Sequence, residues 1–348
     1  MAHLISRKKR VYAVNTLFAD YLARYDRQVQ LPIRYDELLR YTQTLPLHDK
    51  SGRDTLWVSV LYSAQDHADI RQGLLQIYAQ MKAGGDVDAI DHLIVDRVDL
   101  CTYGNTQPFR VRILNTLNEN FDYFYVKRAD ASRLYGLELE HILSPNAITF
   151  LYDRETLIEE HISGIPGNMF IQRYLSDRHL DDVRLAKEFV KFNERCFLRL
   201  LGDMHSANFV IDITPDFEET SYRIRAIDFD QQSYEGKRQV YLPQYFKQNN
   251  PIIFLGIKCM SRETVRQYQL EERSLMKRRV KSVGSRLDDL LEVMQQDEIA
   301  PPEHVQQLAD ELSEHYGLPE FRACKSMGAI VAQHLSVLER PRAGLDGL

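Results

Sequence analysis

The chain is short of the residues that anchor metals and cross membranes. Its 348 residues include four cysteines, Cys101, Cys196, Cys259 and Cys324, and one tryptophan, Trp57. The cysteines lie far apart and none forms a C-x-x-C pair. That argues against a zinc ribbon or a dithiol redox motif, and it fits a reducing compartment. The eleven histidines are dispersed and no H-E-x-x-H occurs, so a zinc centre is not expected. No apolar run approaches the ~20 residues a membrane span needs. The basic start is followed by "VYAVNTLFADYLARYD", which Asn15 and Asp20 interrupt, so it lacks the apolar stretch of a signal peptide. A cytoplasmic protein with no membrane partner is expected. Positive charge is also in deficit. A formal net charge of −6 is the wrong sign for a nucleic-acid binder. The clusters Arg7–Arg10 and Lys277–Arg279 read as a solvated tail and a solvated helix face. The tyrosines, 19 in number, have no accompanying basic groove in which bases could stack.

A chain of this length is expected to fold as two or three lobes. Residues 1–85 mix helical stretches ("LFADYLARY", "YDELLRYTQTL") with one strand, Thr55–Ser63. A helix capped by Asp66 and stopped by Gly84-Gly85 closes that section. From His92 to Val126 the texture turns to β: "HLIVDRVDLCTYG", "FRVRILNTL" and "FDYFYVK" alternate with turn-rich "YGNTQP" and "NEN", the pattern of an antiparallel meander. A helix over Ala131–Leu143 and a strand "TLIEEHI" complete a second section, 86–160. Residues 161–348 hold a helix over Asp182–Leu200, a hairpin ("NFVIDI" and "YRIRAIDFD"), and helices over Arg262–Lys281, Gly284–Gln296, Pro302–Tyr316 and Phe321–Leu338. The fold class expected is α+β: a small antiparallel β lobe with one helix, a mainly helical C-terminal lobe, and an N-terminal α/β extension. Ligands commonly sit at such lobe interfaces.

Chemistry concentrates in "LLGDMHSANFVID", Leu200–Asp212, where Asp203, His205 and Asn208 crowd into six residues. Asp228 follows in "DFD", 20 residues after Asn208. A loop ending in a strand supplies a carboxylate and a carboxamide at D-x-x-x-x-N spacing. A hairpin returns the second strand so that its last residue, Asp228, lies beside Asn208. Such an oxygen set suits a hard divalent cation, and a carboxylate beside it can accept the proton of an attacking hydroxyl, as phosphoryl transfer requires.

These residues resemble the protein-kinase-like superfamily, and most closely its small-molecule branch of aminoglycoside, choline, homoserine and stress-response kinases. That branch shows H-G-D-x-H-x-x-N and then I-D-F-D or I-D-F-E; this chain has "LGDMHSAN" and "AIDFD". The resemblance covers roughly residues 92–260. It implies a two-lobed protein-kinase-like fold and an ATP- and Mg²⁺-dependent transfer of the γ-phosphate to a hydroxyl on a small molecule or a protein. Asp203 would be the catalytic base, with His205 beside it in the catalytic loop. Asn208 and Asp228 would hold magnesium. Lys127 would hold the α/β-phosphates and pair with a glutamate of the following helix. Glu138 borders that helix's apolar stripe and Glu140 lies opposite it, so Glu138 is the expected partner. The backbone near Glu160 and Ile162 would meet adenine. The chain departs from the family at Leu201, where histidine is usual, and in "YGNTQPF", which has a single glycine, Gly104, and a proline, Pro108, without an N–H to offer a phosphate. Those departures also suit a pseudokinase or regulatory binding module, and the same fold could transfer AMP. The hairpin acids Asp212, Asp216, Glu218 and Glu219 read as a solvated turn, or as an attraction for a cationic acceptor. Asp230 reads either as an extension of the metal shell or as a turn residue.

Overall fold

A computed structural model describes residues 9–49, 51–103, 106–177, 180–215 and 220–340. Gly104, Asp216, Glu218 and Glu219 fall outside them. The fold is α+β, and its contacts divide the chain into two compact units.

One unit comprises Lys8–Asp130 and Ile148–His161. It holds helices α1 (Thr16–Arg24), α2 (Tyr35–Leu38) and α3 (Ala64–Lys82). Its strands are β1 (Gln43–His48), β2 (Asp54–Leu61), β3 (Leu93–Cys101), β4 (Phe109–Asn115), β5 (Phe121–Arg128), β6 (Phe150–Asp153) and β7 (Thr156–Glu160). They form one antiparallel sheet in the order β1-β2-β3-β4-β5-β7-β6, and β3, β4 and β5 make the expected meander. Period-two alternation sets its faces. Phe109, Val111, Ile113, Phe124 and Val126 turn into a core with Ile70, Leu74, Ile77 and Tyr78 of α3. Burying each large side chain contributes roughly 1.5–3 kcal/mol. The alternate residues, Arg110, Tyr123, Tyr125 and Lys127, take the other face.

Three expectations need correction in this unit. "YDELLRYTQTL" is helical only over Tyr35–Leu38, and its end opens β1 instead. The cap of α3 is Ser63, whose hydroxyl accepts the Asp66 N–H at 3.2 Å while donating to the Asp66 carboxylate at 2.6 Å. Finally, residues 9–85 are no separate extension. Gly84 and Gly85 do stop α3 with φ of +60° and +89°, but β1, β2 and α3 belong to the same sheet and core as β3–β7.

The other unit contains Ala131–Ala147 and Ile162–Leu348. Its elements are α4 (Ala131–Leu143), β8 (Ile165–Pro166), α5 (Gly167–Arg173), α6 (Asp182–Arg199), β9 (Phe209–Pro215) and β10 (Thr220–Ala226), then α7 (Asn250–Cys259), α8 (Arg262–Val283), α9 (Ser285–Gln295), α10 (Pro302–Tyr316) and α11 (Met327–Ser336). Strands β10, β9 and β8 form a small antiparallel sheet. The helix expected over Phe321–Leu338 is shorter: a 3₁₀ turn, Pro319–Ala323, precedes α11. Among the described residues no helix is long and apolar enough to cross a membrane.

The helical core carries a buried imidazole. His334 of α11 is fully enclosed. Its Nε2 shares a 2.8 Å hydrogen bond with the Tyr316 hydroxyl, and its ring stands edge-on to Phe197 at 4.8 Å. Its Nδ1 has no hydrogen-bond partner among the described residues. Burial, with the nearby Arg273 charge and His315, lowers its pKa to about 3. In the unfolded chain this histidine takes a proton near its ordinary pKa of about 6.5; in the folded chain it does not. Its stabilising share is therefore complete above about pH 6.5 and is lost as the pH falls toward the folded value. At pH 5 the loss from His334 alone is about 2 kcal/mol. We expect the melting temperature to fall between pH 7 and pH 5, and to fall less in His334→Gln. An equal fall in both proteins would remove His334 as the cause.

Candidate active site

The loop from Leu200 to Asn208 is shaped before any ligand is considered. Helix α6 ends at Leu200, a cap residue in the left-handed conformation (φ 54°). Leu201 is fully buried and bridges Gln232. Where the kinase-like pattern has histidine, an aliphatic side chain thus packs the base of the loop. Asp203 is left-handed as well, with φ 59°, a conformation that aspartate tolerates better than most side chains. Its N–H donates to the Val240 carbonyl at 3.1 Å, and its carbonyl accepts the His205 N–H at 2.8 Å. The loop is therefore tied on one side to the segment after "DFD" and on the other to itself.

The hairpin closes the distance between Asn208 and Asp228. The ladder sets Phe209 opposite Ala226, and the Ile227 N–H donates to the Asn208 carbonyl at 3.0 Å, carrying the pairing one rung further. Asn208 Nδ2 donates to the Asp203 carbonyl at 2.9 Å and lies 3.5 Å from its carboxylate, which leaves the carboxamide oxygen as an acceptor. The structure thus brings Asp203, Asn208 and Asp228 together in one unit.

Electrostatics single out Asp203. Burial raises its pKa to about 7, and the carboxylates of Asp228, Asp230 and Glu235 push in the same direction. His205 is half-buried; burial lowers its pKa while Asp228 opposes the shift. Its Nδ1 accepts the Ala207 N–H at 3.3 Å, and its Nε2 lies 3.9 Å from the Asp203 carboxylate. That is too long for a hydrogen bond, so His205 is a neighbour of Asp203 with no direct proton path to its carboxylate.

The expected Lys127–Glu138 pair is replaced by two others. Lys127 is buried, and its ammonium meets Glu159 of β7 at 2.8 Å. Glu159 stands opposite Tyr125 in the ladder and so reaches Lys127 diagonally across the sheet. A buried ammonium needs an anion, and the sheet itself provides one. Glu138 accepts from Arg286 Nε of α9 at 2.7 Å. The apolar stripe does not separate Glu138 from Glu140, because α4 has almost no solvent face. Of the 13 residues of α4, all but His141 are buried, and Glu140 pairs with Arg199. The Glu160 side chain is likewise engaged, accepting the Thr149 N–H at 2.8 Å and meeting Lys82 at 3.1 Å. Ile162 is buried in the helical unit. Lys127 and Glu160 belong to the sheet unit, and Asp203, Asn208, Asp228 and Glu138 to the helical one.

Sequence reasoning missed Arg133. This residue of the first turn of α4 donates from Nη1 to Asp228 at 2.8 Å and to Asp230 at 2.6 Å. Only the presence of an arginine inside an apolar helix hinted at it, since a buried guanidinium requires carboxylate partners.

Among the described residues no group of three or more His, Cys, Asp and Glu side chains is arranged to hold a metal. An Asn–Asp pair is a smaller set, but it fits magnesium, which keeps several waters and takes further oxygens from phosphates. No protein-family model matches the chain, and no curated protein matches it.

Proposed function

We propose that this chain is an ATP- and Mg²⁺-dependent phosphotransferase with a two-lobed, protein-kinase-like fold, moving the γ-phosphate to a hydroxyl of a small molecule. The observation that carries the reading is the convergence of Asp203, Asn208 and Asp228 on one loop and one hairpin. Asp203 takes the proton of the acceptor hydroxyl. A pKa of about 7 suits that task, because a base works best when its pKa lies near the working pH. Asn208 and Asp228 would hold magnesium, which would supply positive charge to the transferring phosphoryl group.

One observation favours a second reading. Lys127 and Glu138 are each satisfied by an internal partner, as suits a regulatory binding module that keeps the fold without turnover. Incubation of the full chain with Mg²⁺ and ATP labelled at the γ- or the α-phosphate separates the two. We expect γ-phosphate release that Asp228→Asn abolishes. Stabilisation by Mg·ATP without release points to the binding module, and protein-bound α-label to AMP transfer. The absence of both stabilisation and release would sink the enzyme readings.

A further inference from the structure

The carboxylates of the proposed metal site already meet a cation of the chain's own. Arg133 has a side chain only 2% exposed. Its Nη1 spans Asp228 Oδ1 and Asp230 Oδ1 at 2.8 and 2.6 Å. The Asp230 N–H donates to the same Asp228 Oδ1 at 3.1 Å, so among the described residues the hydrogen bonds of the Asp228 carboxylate fall on that one oxygen. Its Oδ2 remains, and so does the carboxamide oxygen of Asn208, whose Nδ2 is turned to Asp203.

We propose that Arg133 is a resident cation that fixes the capacity of this site at one divalent ion, by holding Asp230 and one oxygen of Asp228 and leaving Asp228 Oδ2 and Asn208 Oδ1 for metal. The inference rests on the phosphotransferase reading of the same residues. An arginine stays protonated at any working pH. A second divalent ion against Asp230 would sit beside a buried positive charge, where little water screens the repulsion. Asp230 is then a partner of Arg133 rather than a metal ligand, and Arg133 is a positioning residue that aims Asp228. Removing the arginine takes away the positive charge that Asp228 and Asp230 share, and a further cation can take its place.

Manganese binding to the full chain, followed by the loss of the free-ion EPR signal, tests this without nucleotide or turnover. Wild type is expected to bind one Mn²⁺, and Asp228→Asn to weaken it at least about tenfold. Arg133→Met is expected to bind a second ion, or the first at least about tenfold more tightly, whereas Arg133→Lys keeps the wild-type count. Unchanged or weaker binding in a folded Arg133→Met protein overturns the inference and leaves the phosphotransferase reading standing. Should Arg133→Met fail to fold, Asp230→Asn decides. Affinity within about threefold of wild type supports the assignment, and a loss of about tenfold or more makes Asp230 a ligand and overturns it. If wild type binds no Mn²⁺, or Asp228→Asn binds as wild type does, the metal assignment itself falls and takes the inference with it.

Discussion

Asp203→Asn should abolish phosphoryl turnover while the protein folds as before and still binds Mg·ATP. The substitution keeps the shape of the side chain, and asparagine shares with aspartate a tolerance for the left-handed backbone that this position requires (φ 59°). The backbone bonds that seat the loop, Asp203 N–H to Val240 and His205 N–H to the Asp203 carbonyl, do not involve the carboxylate. On the phosphotransferase reading, what is lost is the proton acceptor. Removal of a positioned general base lowers turnover by roughly 10²–10⁴-fold. Stability should move the other way. Burial and three neighbouring carboxylates disfavour the ionised Asp203, so at pH 8, where the wild-type group is charged, the neutral amide should melt at the same temperature or higher. Turnover measured beside thermal melting and Mg·ATP affinity distinguishes a lost base from a damaged loop. Turnover within about tenfold of wild type in a folded variant would remove Asp203 from the base role. Asp203→Ala is the poorer experiment, because alanine resists the left-handed turn and confounds the two effects.

The part of this site that is local in sequence could be read from the sequence. Asp203 and Asn208 share one loop, and Asp228 follows from the hairpin because "NFVIDI" and "YRIRAIDFD" alternate cleanly and an acidic turn joins them. The meander was legible for the same reason, since half-buried strands carry a period of two. Strand β1 was not. Its residues, "QTLPLH", lie almost entirely exposed at the edge of the sheet, so burial impressed no pattern on them. Helix α4 misled because an amphipathic reading assumes a wet side, and α4 has none. The apolar stripe puts Glu138 at its border and Glu140 opposite it, yet both are buried. The partners of buried charges were the least legible of all. Lys127 finds Glu159 across 32 residues and Arg133 finds Asp228 across 95, and no spacing rule connects positions that only the tertiary fold brings together.

Those buried pairs lead to the largest stability effect expected. Glu140 of α4 and Arg199, the last residue of α6, are nearly inaccessible and form a direct ion pair. Burial alone would raise the Glu140 pKa, but the Arg199 charge overrides it and the carboxyl sits below its ordinary range. Glu140→Ala strands a buried guanidinium, and breaking a buried pair this way costs about 3–5 kcal/mol. Arg199→Met should cost less. The abandoned Glu140 can take up a proton and become neutral, an escape that the guanidinium lacks. The double variant Glu140→Ala/Arg199→Met should recover part of the loss, because no charge is then left unpaired. Denaturant unfolding of the four proteins gives the cycle, and equal costs for the two single variants would refute the asymmetry. The effect should reach the candidate active site too. Arg199 immediately precedes the left-handed Leu200, and its carbonyl accepts from Gln232, the residue that bridges Leu201. Glu140→Ala should therefore lower turnover even at temperatures where the chain is still folded, by loosening the end of α6 from which the Asp203 loop departs.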